Sequence, residues 1–277
     1  MKSLSRYIQE KLTIKKNKRV DYKYFPQTKE ELKDIILQRI KDEGNEVDLN
    51  DIDTSNITDM SSLFVGTNFN GDISGWNVSS VIDMSYMFNG CTLFNGNISN
   101  WDVSNVKKMN NMFYLCDTFN QDISNWDVSN VQYMSDMFAF CESFNCDISQ
   151  WDVSNVTDMS YMFYYCKAFD QNISKWDVSS VISMNNMFCT CTKFNSNLST
   201  WDVSNVNTMA SMFYDCKSFN QDISSWDVSN VKDMREMFYG CKKFNYDISN
   251  WDISKVKSKG GMFENCPIEE KYKPNFR

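Results

Sequence analysis

Apolar residues fall at fixed places along most of this chain, and the places repeat every 25 residues. In the stretch from Trp101 to Asn125, WDVSNVKKMNNMFYLCDTFNQDISN, the apolar places are Trp101, Val103, Val106, Met109, Met112, Phe113, Cys116, Phe119 and Ile123. Copies open at Trp76, Trp126, Trp151, Trp176, Trp201, Trp226 and Trp251, which with Trp101 account for all 8 tryptophans. A fixed period of this size marks a solenoid, in which one unit cannot bury its apolar face alone and stacks on copies of itself.

Two local periods lie inside the unit, whose places we count from its tryptophan. Met109, Met112, Phe113 and Cys116 follow i, i+3, i+4, i+7, which predicts a short helix over 107–116. Around Trp101 the pattern changes to a period of two, with Trp101 and Val103 apolar and Asn100, Asp102 and Ser104 polar, which predicts a short strand. The expected fold is an α/β solenoid of about nine strand-helix coils, whose strands stack in register as a parallel sheet at about 4.8 Å per coil.

The ends depart from the pattern, as terminal units must. Thr28 followed by Glu31 reads as a capping box, Leu32, Ile35, Ile36 and Ile40 as one apolar face, and Gly44 as a stop. That helical cap (26–50) should cover the open end of a solenoid spanning 51–266. The first coil is eroded, with Ile52 at the tryptophan place, Leu63 for the second methionine and Thr67 for the cysteine. In the last coil Lys259 replaces a methionine, Gly260 and Gly261 follow, and Pro267 opens the tail 267–277. The amino-terminal segment 1–25 combines an amphipathic stretch (Leu4, Ile8, Leu12) with a basic knot (Lys15, Lys16, Lys18, Arg19), read as a linker or a docking tether.

The run MFxxCxxFN leading into ISxWDVSNV resembles the BspA-like leucine-rich-repeat proteins and the related mycoplasma surface repeats of unknown function. Phe113, Cys116 and Phe119 leading toward Trp126 and Val128 carry the likeness, which covers roughly residues 26 to 266. The resemblance implies a horseshoe-like, leucine-rich-repeat-like solenoid and a role in contact with proteins, host surfaces or other cells.

Composition narrows the chemistry. A net charge of −8 speaks against nucleic acid as the main partner. No apolar run approaches the length of a membrane span. The chain has no histidine, which removes Ser-His-Asp and Cys-His nucleophile systems and the commonest neutral-pH base. The cysteine ladder has no zinc-ligand spacing. No catalytic, cofactor or metal residues are therefore assigned, no cofactor is expected, and the chain reads as a non-enzyme. The amino end lacks the apolar stretch of a secretory signal, so a cytoplasmic location is expected, with a cell-surface or virion-associated one as the alternative implied by the resemblance.

Two sets of residues stand out as candidate partner contacts. One is the column Asp102, Asp127, Asp152, Asp177, Asp202, Asp227 and Asp252, whose carboxylates are held by the following Ser-Asn turn or form a groove for cations or a basic partner. The other is the aromatic group Phe140, Tyr161, Tyr164 and Tyr165 on the helical side of two adjacent coils, at places where the copies differ. The leading expectation is a monomeric scaffold that binds an unidentified protein. A self-associating or virion-associated structural component and a divalent-cation-binding repeat are the alternatives.

Overall fold

The computed structural model describes residues 21–275; the amphipathic stretch and basic knot lie outside the described residues. The chain winds into a stack of coils, one per copy. Successive coils are joined by parallel bridges at place 8, running from Asp59 through Asp83, Lys108, Tyr133, Asp158, Ser183, Thr208 and Asp233 to Ser258. This is the leucine-rich-repeat-like architecture expected, with the elements inside each coil differing from the expectation.

The stretch predicted to be helical, 107–116, is a run of tight turns lying along a parallel ladder. The amides of Met109, Asn111, Phe113 and Leu115 donate to the carbonyls of Tyr133, Ser135, Met137 and Ala139 in the next coil, each at 2.9 Å. The intervening amides close turns within the coil, Met112 N to Met109 O at 3.2 Å and Cys116 N to Phe113 O at 2.9 Å. Each of these turns has a left-handed third residue, Asn111 (φ 55°) and Leu115 (φ 61°). The same geometry recurs up the stack at Asp136 and Phe140, Tyr161 and Tyr165, and Asn186 and Thr190.

The predicted strand at Trp101 to Val103 is likewise not the paired segment. It runs extended between two turns, closed by Trp101 N to Ile98 O (3.2 Å) and Val106 N to Val103 O (2.9 Å). One physical cause explains both differences. A turn closed from i to i+3 brings its first and last residues to neighbouring corners, so Ile98 and Trp101, Val103 and Val106, Met109 and Met112, and Phe113 and Cys116 all point inward without a helix.

Those inward residues form a continuous core: Met109, Met112, Phe113, Cys116, Phe119 and Ile123 are fully buried, and Trp101 is 4% exposed. Like residues stack on like. Successive tryptophans such as Trp101 and Trp126 lie 6.4 Å apart between ring centroids, tilted by only 3°. The phenylalanines of place 13 are 5.6 Å apart at Phe113 and Phe138, and those of place 19 are 6.1 Å apart at Phe119 and Phe144. The backbone ladder imposes a step near ~4.8 Å. The stacked ring centroids are thus spaced more widely than that backbone step.

Polar side chains knit the coils where backbone bonds cannot reach. Trp126 Nε1 donates to Ile98 O at 3.1 Å, and Cys141 Sγ donates to Phe113 O at 2.9 Å, so both ladders reach back to a buried carbonyl of the preceding coil. Burial pushes the Cys141 thiol well above its ordinary range. Asn120 Oδ1 accepts the Asn145 amide at 2.8 Å, and Asn130 Nδ2 donates to Ser104 O at 2.7 Å.

At the amino end, helix α1 (Lys29–Glu43) covers the first coil with fully buried Leu32 and Ile36. Ile35 and Ile40 pack at its margin. Thr28 caps it by accepting the Glu31 amide at 3.2 Å, while Glu31 reaches back to the Gln27 amide at 2.7 Å. Gly44 ends it at φ 92°. At the other end a 3₁₀ turn, Glu270–Tyr272, folds back so that Ile248 N donates to Tyr272 O at 3.0 Å.

Candidate binding surface

The two sets of candidate residues lie on different sides of the coil. The aspartates of place 2 are exposed on the outer, tryptophan side, each beginning a turn. Ser104 donates to Asp102 Oδ1 through its amide at 3.2 Å and its hydroxyl at 2.6 Å. Asp127, Asp152 and Asp177 are held in the same way by Ser129, Ser154 and Ser179. At Asp202, Asp227 and Asp252 the amide of the serine two residues on makes the bond. Hydrogen bonds from Ser129, Ser179 and Ser204 hold Asp127, Asp177 and Asp202 below the usual carboxylate range, and the Ser229 and Ser254 amides do the same for Asp227 and Asp252.

A second, parallel column at place 22 escaped the sequence reading. Asp122, Asp147, Asp222 and Asp247 accept from Ser124, Ser149, Ser224 and Ser249. The recurring Asp-x-Ser spacing in the stretch from Asp122 to Ser129 was the available signal. Both columns are turn formers first, since their oxygens are already spent on the local backbone. Among the described residues no three His, Cys, Asp or Glu side chains are grouped to hold a metal ion.

The aromatic set belongs to the ladder face, which corrects its expected placement on a helix. Phe140 packs edge-on between Tyr114 (5.6 Å) and Tyr164 (5.0 Å), crossing over the small Ala139. Tyr165 lies 5.4 Å from Phe140, and Tyr161 meets Tyr164 at 5.6 Å. Four of the five rings are half-buried and Tyr161 is exposed, so the cluster is a fixed relief of edges and faces. Left-handed φ at Phe140, Tyr161 and Tyr165 aims these side chains off the ladder, a conformation costing roughly 1 to 2 kcal/mol per non-glycine residue.

Charges border the cluster. Lys167 sits 4.3 Å over the Tyr165 ring and pairs with Glu142 at 2.9 Å. Tyr164 is pushed above its ordinary pKa by desolvation. On the other flank Asp136 is pushed up to about 6, first by burial and then by neighbouring Asp158. Such a face offers stacking, apolar area and unshared carboxylates, with no group placed as a nucleophile beside a base.

A family model described as a mycoplasma protein of unknown function, DUF285, matches residues 35–145, 98–188 and 170–274. No curated protein matches the sequence. Among solved structures, similarity extends to a crystal structure of a TLR13–ssRNA13 complex at 10% identity and a TM-score of 0.33, covering 79% of this chain and 30% of that one. The leucine-rich repeat domain of APL1B matches at 10% identity and TM-score 0.22, covering 75% and 77%. The functional domain of InlJ from Listeria monocytogenes, which includes a cysteine ladder, matches at 12% identity and TM-score 0.11, covering 73% and 63%. This chain thus spans less than a third of the TLR13 chain.

Proposed function

We propose, starting from the premise that this chain belongs to the DUF285 family of mycoplasma proteins of unknown function, that it is a non-enzymatic scaffold which binds another protein through its ladder face. The observation that carries this reading is the cluster of Tyr114, Phe140, Tyr161, Tyr164 and Tyr165, five rings from three adjacent coils packed against one another at an accessible surface. Partly buried aromatic residues held rigidly lose little entropy on binding and are the usual anchors of protein interfaces. The outer aspartate columns support it less, because their hydrogen bonds are satisfied within the turns they form.

The test is affinity capture from cells of the source organism with the unchanged chain and with a Tyr161→Ser, Tyr164→Ser, Tyr165→Ser variant of matched melting temperature. Proteins held by the first and lost by the second are expected. Identical capture by both refutes the assignment of the face. Light scattering on the purified chain separates this scaffold from a structural component: the scaffold is monomeric, whereas a building block of an assembly associates with itself.

A further inference from the structure

Place 8 of the coil lies on the ladder face and carries four aspartates, Asp59, Asp83, Asp158 and Asp233. Three of them hold a cation. Lys29 Nζ is 3.3 Å from Asp59, Lys108 Nζ is 3.1 Å from Asp83, and Arg235 grips both oxygens of Asp233 through Nε at 3.0 Å, with Nη2 at 2.7 Å. Asp158 has no cation among the described residues; its carboxylate accepts the Ser160 amide at 2.8 Å.

Asp158 also has aromatic neighbours in its own coil and in the adjacent one. Tyr133 lies directly across the ladder from it. Asp136 and Tyr161 share place 11 in the same two coils, both left-handed at φ 57° and 59°, and are held side by side by the bond from Asp136 N to Ser160 O at 2.9 Å. Two tyrosines and two carboxylates thus alternate at the corners of one patch, and the tyrosines are 46% and 39% exposed. Asp136 accepts no hydrogen bond of its own among the described residues, which fits its raised pKa.

We propose that Tyr133, Asp136, Asp158 and Tyr161 receive an arginine side chain carried by an extended segment of a partner protein, whose apolar residues lie on Phe140, Tyr164 and Tyr165. The inference rests on the reading of the ladder face as a protein-binding surface and names what that surface selects. Charge complementarity carries it: the chain has a net charge of −8, and Asp158 is the one place-8 aspartate with no counter-charge among the described residues. A planar guanidinium presents five donors in a rigid fork that fits two carboxylates while its face stacks on tyrosine, a geometry that the compact lysine ammonium does not match. Arg235 on Asp233 shows the same pairing made within the chain.

The experiment is fluorescence anisotropy with the full chain and three labelled peptides alternating leucine with arginine, lysine or glutamine. The arginine peptide should bind at least about tenfold more tightly than the glutamine peptide, a difference of ~1.4 kcal/mol. It should lose that margin on an Asp136→Asn, Asp158→Asn variant and keep it on Asp222→Asn, Asp247→Asn, which removes charge from the outer side. Equal binding of the arginine peptide to the unchanged chain and the Asp136, Asp158 variant overturns the proposal. If the glutamine peptide binds as well and is lost with Tyr161→Ser, the choice of arginine falls and the protein-binding face stands. Failure of all three peptides to bind removes both.

Discussion

Replacing Trp151 with phenylalanine tests whether the coils stabilise one another. Trp151 is 3% exposed, stacks on Trp126 at 6.5 Å with a tilt of 1°, and donates from Nε1 to Ile123 O at 3.1 Å. Phenylalanine keeps the inner ring, empties the volume of three ring atoms and removes the donor. The lost burial and the cavity cost ~1.5 to 2.5 kcal/mol, and the lost hydrogen bond about 1 kcal/mol more, since Ile123 O keeps only the Trp126 amide. Urea denaturation of Trp151→Phe should thus show a loss of roughly 2.5 to 3.5 kcal/mol with an unchanged slope. The same change at Trp251, whose coil is the last in the stack, should cost roughly half as much, because one neighbouring layer is missing. Equal losses at the two sites, or a loss below about 0.5 kcal/mol at Trp151, the level of an ordinary surface substitution, would refute the argument.

Three further outcomes follow from the same geometry. Asn145→Ala orphans the Asp170 amide, now 2.9 Å from Asn145 Oδ1, and because both residues are exposed the loss in thermal unfolding should be about 0.5 to 1.5 kcal/mol, with water replacing the partner. Far-UV circular dichroism should show little helix, since among the described residues α1 is the sole α-helix; a spectrum with a helix in every coil contradicts the turns. Asp136, pushed up to about 6, binds a proton in the folded state that the unfolded chain has released, so stability falls as pH rises from about 4 to 7, by ~1 kcal/mol after solvent screening. The aspartates of place 2 with depressed values act in the opposite sense below pH ~4, where protonation removes their serine bonds. Melting curves of the unchanged chain and Asp136→Asn across that range check the sign, the variant losing the decline.

How much of this was legible in the residues depends on what each signal encodes. The tryptophan, methionine, phenylalanine and cysteine columns specify a stack because each is a burial requirement, and burial does not depend on which backbone path delivers it. The cap was equally plain, since Thr28, Glu31 and Gly44 act through local hydrogen bonds and φ. Secondary structure inside the coil was misread because spacings of three arise from turns as well as from helices. Glycine would normally flag a left-handed turn residue, yet places 11 and 15 hold Asn111, Leu115, Asp136, Phe140, Tyr161 and Tyr165, and only Gly66, Gly90, Gly240 and Gly261 betray the backbone. The aromatic cluster was visible as a group, although its face was misassigned with the helix. Arg235 lies only two residues from Asp233, whereas the pairing of Asp59 with Lys29 and of Asp83 with Lys108, and the lack of a cation at Asp158 among the described residues, depend on side chains brought together by the winding of the chain.

The central claim is that every interior coil is an interchangeable layer, completed by the one before it and the one after. Excising residues 151–175 joins Gln150 to Trp176 in register and should leave a single cooperative thermal transition, lowered by no more than about 10 °C in an array whose stability sums over neighbours. Excising 151–163, roughly half a layer, should abolish that transition. If the whole-layer deletion unfolds the protein, or the half-layer deletion melts like it, the stack of equivalent layers is contradicted.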